Sequence, residues 1–216
     1  YKRQVSAARP KVAEYQFTTL IPNLGVVSVD PIRSFVVADI PGLISGASKG
    51  IGLGLRFLRH LMRNRVLLHI IDISEGLESD PAAAAKVAVD ELSLFSSTLS
   101  SRTRWLVLNK IDLVSAEQLL LRKEKIVKAL NWEGPIYEIS AIARKGTEHL
   151  CQNLMSFLEK QRKMESNSSD LVDKERLQQI RMQRESRSYI DSLGYSETQS
   201  KASKDLNPEF PADVKT

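Results

Sequence analysis

Asn109-Lys110-Ile111-Asp112 is the tetrapeptide whose residue types best suit ligand chemistry. It follows the apolar run Trp105 to Leu108, which places it at the carboxyl end of a predicted strand, where open sheets bind ligands. One carboxylate can accept from two adjacent N–H groups of a purine, a ring N–H and an exocyclic amine. Guanine presents that pair and adenine does not, so Asp112 suits guanine. Asn109 can bond the other edge of the base and brace neighbouring loops. Lys110 can lay its alkyl stem across base and ribose. Taken alone, the four residues also fit an ordinary strand-to-helix turn with Asp112 as a helix cap.

Three further motifs share this logic. Ser140-Ala141-Ile142 follows the run Ile136 to Ile139, and its small residues would let backbone N–H groups approach a base carbonyl. Asp39-Ile40-Pro41-Gly42 closes the run Ser34 to Ile40. A carboxylate there can hold water on magnesium, and Gly42 can offer an unobstructed N–H to a terminal phosphate. Behind it, Leu43 to Gly54 carries Gly46, Gly50, Gly52 and Gly54, and mobility is expected of it. Thr18 and Thr19 precede the first strand, and a threonine hydroxyl in such a loop can complete a magnesium shell. Thr-Thr, Asp-x-x-Gly, Asn-Lys-x-Asp and Ser-Ala, in that order, is the order of guanine-nucleotide-binding domains.

From about residue 5 to residue 160 the chain resembles the Obg family of ribosome-assembly GTPases. The resemblance is carried by Val5 to Ala13, by Phe17-Thr18-Thr19-Leu20-Ile21-Pro22-Asn23-Leu24-Gly25 and by Asp39-Ile40-Pro41-Gly42-Leu43-Ile44. Gly52-Leu53-Gly54, Phe57 to His60 and Arg65 to Asp72 extend it. It implies an α/β three-layer P-loop NTPase domain that binds GTP and GDP and hydrolyses GTP slowly, with Mg2+ as cofactor. It further implies the large ribosomal subunit and its RNA as partners, in a monomeric cytoplasmic protein. By position, Phe17, Thr18, Thr19, Leu20 and Ile21 would line the nucleotide in the first switch, with Thr19 as the magnesium ligand. Asp39, Ile40, Pro41 and Gly42 would sense the terminal phosphate. Asn109, Lys110, Ile111 and Asp112 would select guanine, and Ser140, Ala141 and Ile142 would support the base. No residue is assigned a catalytic role.

The sequence departs from the family at its front. No Gly-x-x-x-x-Gly-Lys-Ser/Thr run occurs in the 216 residues, and only Tyr1-Lys2-Arg3-Gln4 stands where it is expected. The strand leading into that loop is missing as well. Losing the loop's charge-assisted hydrogen bonds, about 1.5–3 kcal/mol each, should weaken phosphate binding by orders of magnitude. An absent central strand should leave sheet edges unpaired. Leu43 stands where many GTPases orient the attacking water with glutamine, which agrees with slow hydrolysis. Gln16 and Ile142 replace the family's usual proline and alanine. Two readings therefore stay open: an amino-terminally truncated GTPase, and a non-catalytic ribosome- or RNA-binding module.

Strand-length runs must position these motifs. Gly25 to Val29 and Ser34 to Ile40 should pair antiparallel across the Asp30-Pro31 turn. Val66 to Ile71, Trp105 to Leu108 and Ile136 to Ile139 alternate with helical patterns at Leu53 to Met62, Ala82 to Leu99, Leu119 to Leu130 and Gly146 to Leu158. Such alternation predicts a mainly parallel sheet covered by helices on both faces. In the Ala82 to Leu99 pattern, Val87, Leu92, Leu94, Phe95 and Leu99 form the apolar set. The expected organisation is an incomplete nucleotide-binding domain over 1–160, a helical extension over 161–193 with one exposed helix, and a disordered tail over 194–216.

Composition bounds the rest. Hydrophobic residues are 42% and charged residues 26% of the chain, enough for a core and a hydrated surface. The longest apolar run, Val66 to Ile71, is strand-sized, and no basic-then-apolar leader occurs, so membrane spanning and secretion are not predicted. The first residue is Tyr1, as expected of a start inside a longer protein. The single cysteine, Cys151, cannot make an internal disulfide and lies on the apolar side of a predicted helix. His60 and His69 read as packing or solvated residues. Lys and Arg exceed Asp and Glu by 31 to 26, and the excess falls in front of residue 162. Arg56, Arg59, Arg63 and Arg65 are candidates for RNA phosphates or for a solvated helix face.

Overall fold

The computed structural model describes residues 23–39, 61–74 and 80–192. Five strands lie within them: β1 (Asn23–Ser28), β2 (Ser34–Asp39), β3 (Leu67–Asp72), β4 (Arg104–Asn109) and β5 (Ile136–Glu138). β1 and β2 pair antiparallel, from Asn23 opposite Asp39 to Ser28 opposite Ser34. The connection is set by Asp30, whose Oδ1 accepts the N–H groups of Ile32 (3.0 Å) and Arg33 (2.8 Å). β3, β4 and β5 form a parallel sheet in that order, with Asp72 opposite Asn109 and Leu108 opposite Glu138. Among the described residues no strand pairs with the outer edge of β2 or of β3.

Side-chain alternation along β4 builds the layers. Trp105 and Val107 face one way and pack with Val27, Phe35, Ile139, Leu150, Cys151, Leu154 and Met155. The last four of these residues lie on α4 (Thr147–Ser166), so a single helix covers both the hairpin and the parallel sheet. Cys151 is buried there, as its position predicts. Leu106 and Leu108 face the other way and pack with Ile71, Ile73, Ala82, Ala85 and Ile126. That layer is made by α1 (Pro81–Phe95) and α3 (Ala116–Leu130). Asp80 caps α1 by accepting the Ala82 N–H, with Pro81 in the first turn. Ser115 and Gln118 form a reciprocal capping box on α3. The chain is thus an α/β fold with a three-stranded parallel sheet between helical layers.

Two helical expectations are corrected. The pattern Ala82 to Leu99 is broken at Ser96, which ends α1 with an extended backbone and caps α2 (Ser97–Ser100) through its Oγ. Within α1, Leu92 and Phe95 lie on the buried face, and Leu99 of α2 joins them, while Val87 and Leu94 lie off that face and are 41% and 65% exposed. The single exposed helix expected over 162–192 is the end of α4 followed by α5 (Ser169–Ser192), and the inner face of α5 is docked. Met182 is fully buried among Met62, Leu67, Leu92, Phe95 and Leu99. Tyr189 meets the edge of Phe95 with ring centroids 6.1 Å apart. Glu185 accepts from the hydroxyls of Ser96 (2.5 Å) and Thr98 (2.8 Å) and from the Thr98 N–H (3.0 Å). Glu175 receives both guanidinium nitrogens of Arg102, at 3.0 and 2.7 Å, and Arg102 also donates to the Met62 carbonyl. Residues 1–22, 40–60, 75–79 and 193–216 lie outside the described residues, and with them the helical pattern Leu53 to Arg59, His60, the glycine-rich segment and the tail.

Two tests follow from this packing. Met182→Ala should cost about 2–5 kcal/mol, as deletion of buried side chains does, while Leu177→Ala on the 64% exposed face should stay within about 0.5 kcal/mol. Urea denaturation of both variants reads the difference. The second concerns pH. Burial, helped by the nearby Arg104 guanidinium, lowers the His69 pKa to about 4 from an ordinary 6.5. The folded state therefore takes up the proton later than the unfolded chain. Its contribution, up to about 3 kcal/mol, is complete above pH 6.5 and drains as pH falls towards 4. Burial opposes ionisation of Glu175 and Glu185, but hydrogen bonds from Arg102 and from Ser96 and Thr98 outweigh it and hold both below the ordinary carboxylate value of 4.5. Their contribution persists above that value and is lost as pH falls through the lowered one. Urea midpoints from pH 8 to 3 should fall first through the histidine window, and His69→Gln should remove that first fall.

Candidate functional site

The candidate site forms where β3, β4 and β5 end together. β4 is buried from Trp105 to Leu108, so its direction and register are fixed by packing on both faces. Asn109 is its last residue, paired in register with Asp72 at the end of β3. The chain then turns sharply: Lys110 adopts a left-handed backbone (φ 67°, ψ 36°), and Ile111–Leu113 forms one 3-10 turn. The Ile111 N–H donates to the Ile139 carbonyl (3.2 Å), and the Ile139 N–H donates to the Leu108 carbonyl (2.8 Å). These bonds stitch the exit of β4 to the exit of β5.

The two base-reading motifs meet through a side chain. Asn109 Oδ1 accepts the Ala141 N–H at 3.1 Å. Ser140 is fully buried, its Oγ accepts the Ala143 N–H (3.2 Å), and its backbone bridges Lys145. Ile142 is 78% exposed at the tip of this loop. Gly146 closes it at φ 73°, where an added Cβ would lie 2.4 Å from the Glu138 carbonyl oxygen, so only glycine fits. Asp112 is exposed, and no described residue donates to its carboxylate. Two acceptor oxygens are therefore available just past the strand end, and in the neighbouring loop the N–H groups of Ser140, Ala141 and Ala143 are engaged internally while that of Ile142 has no acceptor among the described residues.

A residue with no role in the sequence reading holds Lys110. The Asp72 carboxylate forms an ion pair with the Lys110 ammonium, and its Oδ1 accepts from the Ser74 N–H (2.9 Å) and Oγ (2.6 Å). Burial raises the Asp72 pKa, but Lys110 and Ser74 together bring it below the ordinary carboxylate value. The pair ties the Lys110 ammonium to the end of β3. An acidic residue closing an apolar strand beside Asn109 was the available signal. Asp39 ends β2 exposed, and no described hydrogen bond joins it to this cluster. Phe17, Thr18, Thr19, Leu20, Ile21, Ile40, Pro41 and Gly42 lie outside the described residues. So do Arg56 and Arg59; Arg63 is exposed, and Arg65 is engaged with Glu165 of α4.

Among the described residues no group of three or more His, Cys, Asp and Glu side chains could hold a metal. Asp39 is a hard oxygen donor of the kind magnesium takes, and its exposed position leaves it accessible to such an ion. No helix of the described residues is long and apolar enough to cross a membrane.

The strand ends thus carry an open carboxylate and two loops joined by one asparagine on a parallel α/β sheet. Residues 2–110, half of the chain, match the family described as 50S ribosome-binding GTPase, and the chain belongs to that family. In structure it is similar to translation elongation factor SelB from Methanococcus maripaludis in complex with a GTP analogue, at 14% identity and a TM-score of 0.48, over 65% of this chain and 28% of that one. It is also similar to a nucleolar GTP-binding protein 1 from Plasmodium falciparum, at 21% identity and a TM-score of 0.42, over 71% of this chain and 76% of that one. The chain thus spans well under a third of the elongation factor's length.

The bridge between the loops is directly testable. Asn109→Ala leaves the Ala141 N–H, on a buried residue, without an acceptor and should cost about 1–3 kcal/mol in urea unfolding. Asn109→Asp keeps an acceptor at that position and should retain most of the stability. Faster amide exchange at Ala141 in the alanine variant alone is the accompanying signature.

Proposed function

We propose that the chain is the base-reading and switch-bearing part of an Obg-type GTPase, a slow GTP-hydrolysing switch in large ribosomal subunit assembly. The observation that carries this reading is the join between Asn109 and Ala141 beside the open Asp112 carboxylate. Asp112 accepts from the ring N–H and exocyclic amine of guanine. In the Ser140-Ala141-Ile142 loop the Ile142 N–H is the backbone donor left for the base carbonyl, because those of Ser140 and Ala141 are bonded to Lys145 and Asn109. Lys110, held by Asp72, covers the ring. Membership of a family described as ribosome-binding GTPases supports both the nucleotide and the ribosomal partner.

Phe17 to Ile21 and Asp39 to Gly42 serve in this reading as the two switches that report a terminal phosphate. Thr19 would hold magnesium directly and Asp39 through water, both through hard oxygen. Magnesium, when bound, neutralises charge between the outer phosphates. The second reading, a ribosome- or RNA-binding module without nucleotide chemistry, is favoured by one observation: the 216 residues contain no phosphate-binding loop. The organisation 1–160, 161–193 and 194–216 is part of the same proposal.

The two readings part in a titration. With base contacts but no phosphate cradle in these residues, the chain should bind labelled GDP weakly, with a Kd above about 1 μM. Unlabelled guanosine should compete nearly as well as GTP, because little of the affinity comes from phosphate. Asp112→Asn removes a double acceptor and should weaken guanosine by at least about tenfold while favouring xanthosine, which carries a carbonyl where guanine has its amine. Adenosine competing as well as guanosine, or indifference to Asp112→Asn, would sink the base-reading role and leave the binding module.

A further inference from the structure

The outer surface of α5 sorts charge in a way its docking does not require. The helix carries as many acidic as basic residues, five of each. Two of its acids, Glu175 and Glu185, point inward and are consumed by Arg102 and by the Ser96–Thr98 turn. At about 3.6 residues per turn, Arg176, Ile180, Arg184 and Arg187 fall on the side opposite buried Met182, with Arg181 at their flank. All four arginines are exposed, and none has a hydrogen bond or ion pair with a described residue. From Arg176 to Arg187 the only acid is Glu185, which faces inward. Asp173 and Asp191 share that side one turn beyond either end, so counter-charge is confined to the ends and arginine is the only charge the stripe presents between Arg176 and Arg187.

We propose that this face of α5 docks the phosphate backbone of structured RNA. At 1.5 Å per residue, Arg176 and Arg187 lie about 16 Å apart along the helix, a span that covers several phosphates of one strand. The guanidinium fork matches phosphate oxygens in a bidentate way that a point charge does not. A lipid surface fits poorly. An interfacial helix needs a continuous apolar face beside its basic one, and here the apolar face is spent on the protein core. The exposed apolar residues of the helix are Leu171 and Val172 in its first turn and Leu177 and Ile180 within the basic side, too scattered to form one continuous apolar face. The choice of RNA as the polyanion rests on the ribosome-facing reading above.

The test uses the whole 216-residue chain, with Arg176, Arg184 and Arg187 replaced together by glutamine and, in a second variant, by lysine. The probe is a fluorescently labelled 20-base-pair RNA hairpin, titrated at several salt concentrations. Each phosphate contact contributes about one unit to the slope of log affinity against log salt, so the glutamine variant should lose about two to three units. The lysine variant should keep most of the slope, and circular dichroism and thermal melting should match the parent, because all three positions are exposed. An unchanged slope in the glutamine variant overturns the proposal, as does a parent chain that prefers anionic vesicles or polyglutamate to the hairpin at equal salt. Sedimentation with large ribosomal subunits separates this from the ribosomal reading. Loss of hairpin binding by a chain that never pellets with subunits upholds the α5 surface and removes the ribosomal role. Undiminished pelleting and hairpin binding by the glutamine variant removes the surface and keeps the role.

Discussion

The N–H of Ala141 donating to Asn109 Oδ1 turns two loops from distant parts of the chain into one recognition surface. Everything around it serves to keep those atoms at that separation. β4 is clamped by apolar contacts on both faces, so Asn109 cannot slide along the strand axis. The Ile139 N–H bonded to the Leu108 carbonyl fixes β5 against it one residue earlier. Gly146, in a conformation and a space that admit no Cβ, lets the Ser140 loop fold back tightly enough for Ala141 to reach the asparagine. A single neutral hydrogen bond is worth about 1 kcal/mol in stability. Its importance here lies in geometry, because it holds the two loops still relative to each other.

The division of the sheet imposes a second constraint. The β1–β2 hairpin shares no backbone hydrogen bond with the parallel strands and is held to them through α4, on which Val27 and Phe35 meet Trp105 and Val107. Dispersion and apolar burial attach the hairpin, with the ion pair of Arg33 to Glu159 of α4 (3.6 Å) beside them and no backbone bond to set its register against β3. The other face of the hairpin leaves Leu24, Val26 and Val36 between 49% and 64% exposed. Asp39, which closes β2, is thus placed less stringently than Asn109 or Asp112. In the reading proposed above, the base-selecting and phosphate-sensing residues therefore rest on parts of the fold that are held differently.

Much of this was legible in the residues, because the signals are local. The strand runs, the antiparallel hairpin and the position of Asn109 to Asp112 follow from apolar period and turn chemistry. The break at Ser96 was harder to see. Serine is tolerated in helices, and only its side-chain bond to the Leu99 N–H reveals the cap. The left-handed turn at Lys110 and the ion pair with Asp72 depend on strand register, which no single segment carries. Least legible was the docking of α5. Apart from Met182 and Tyr189, its inner face is written in Glu175, Glu185 and Ser186, residues that read as solvent-facing until their partners on other elements are known.

That polar docking has a structural consequence. Apolar contacts alone would let a helix rotate about its axis with little penalty, whereas the two glutamates fix its rotation through directional bonds to Arg102 and to the α2 turn. Arg102 in turn donates to the Met62 carbonyl, just past the glycine-rich segment that follows Asp39. The carboxyl-terminal helix is therefore tied to the residues that lead into β3. A displacement of Met62 would load the Arg102 fork, and through Glu175 it would reach α5, because a bidentate pair resists shear more than an apolar contact does. One arginine thus links the lead into the parallel sheet to the carboxyl-terminal helix, and Met182 supplies the apolar anchor about which that link acts.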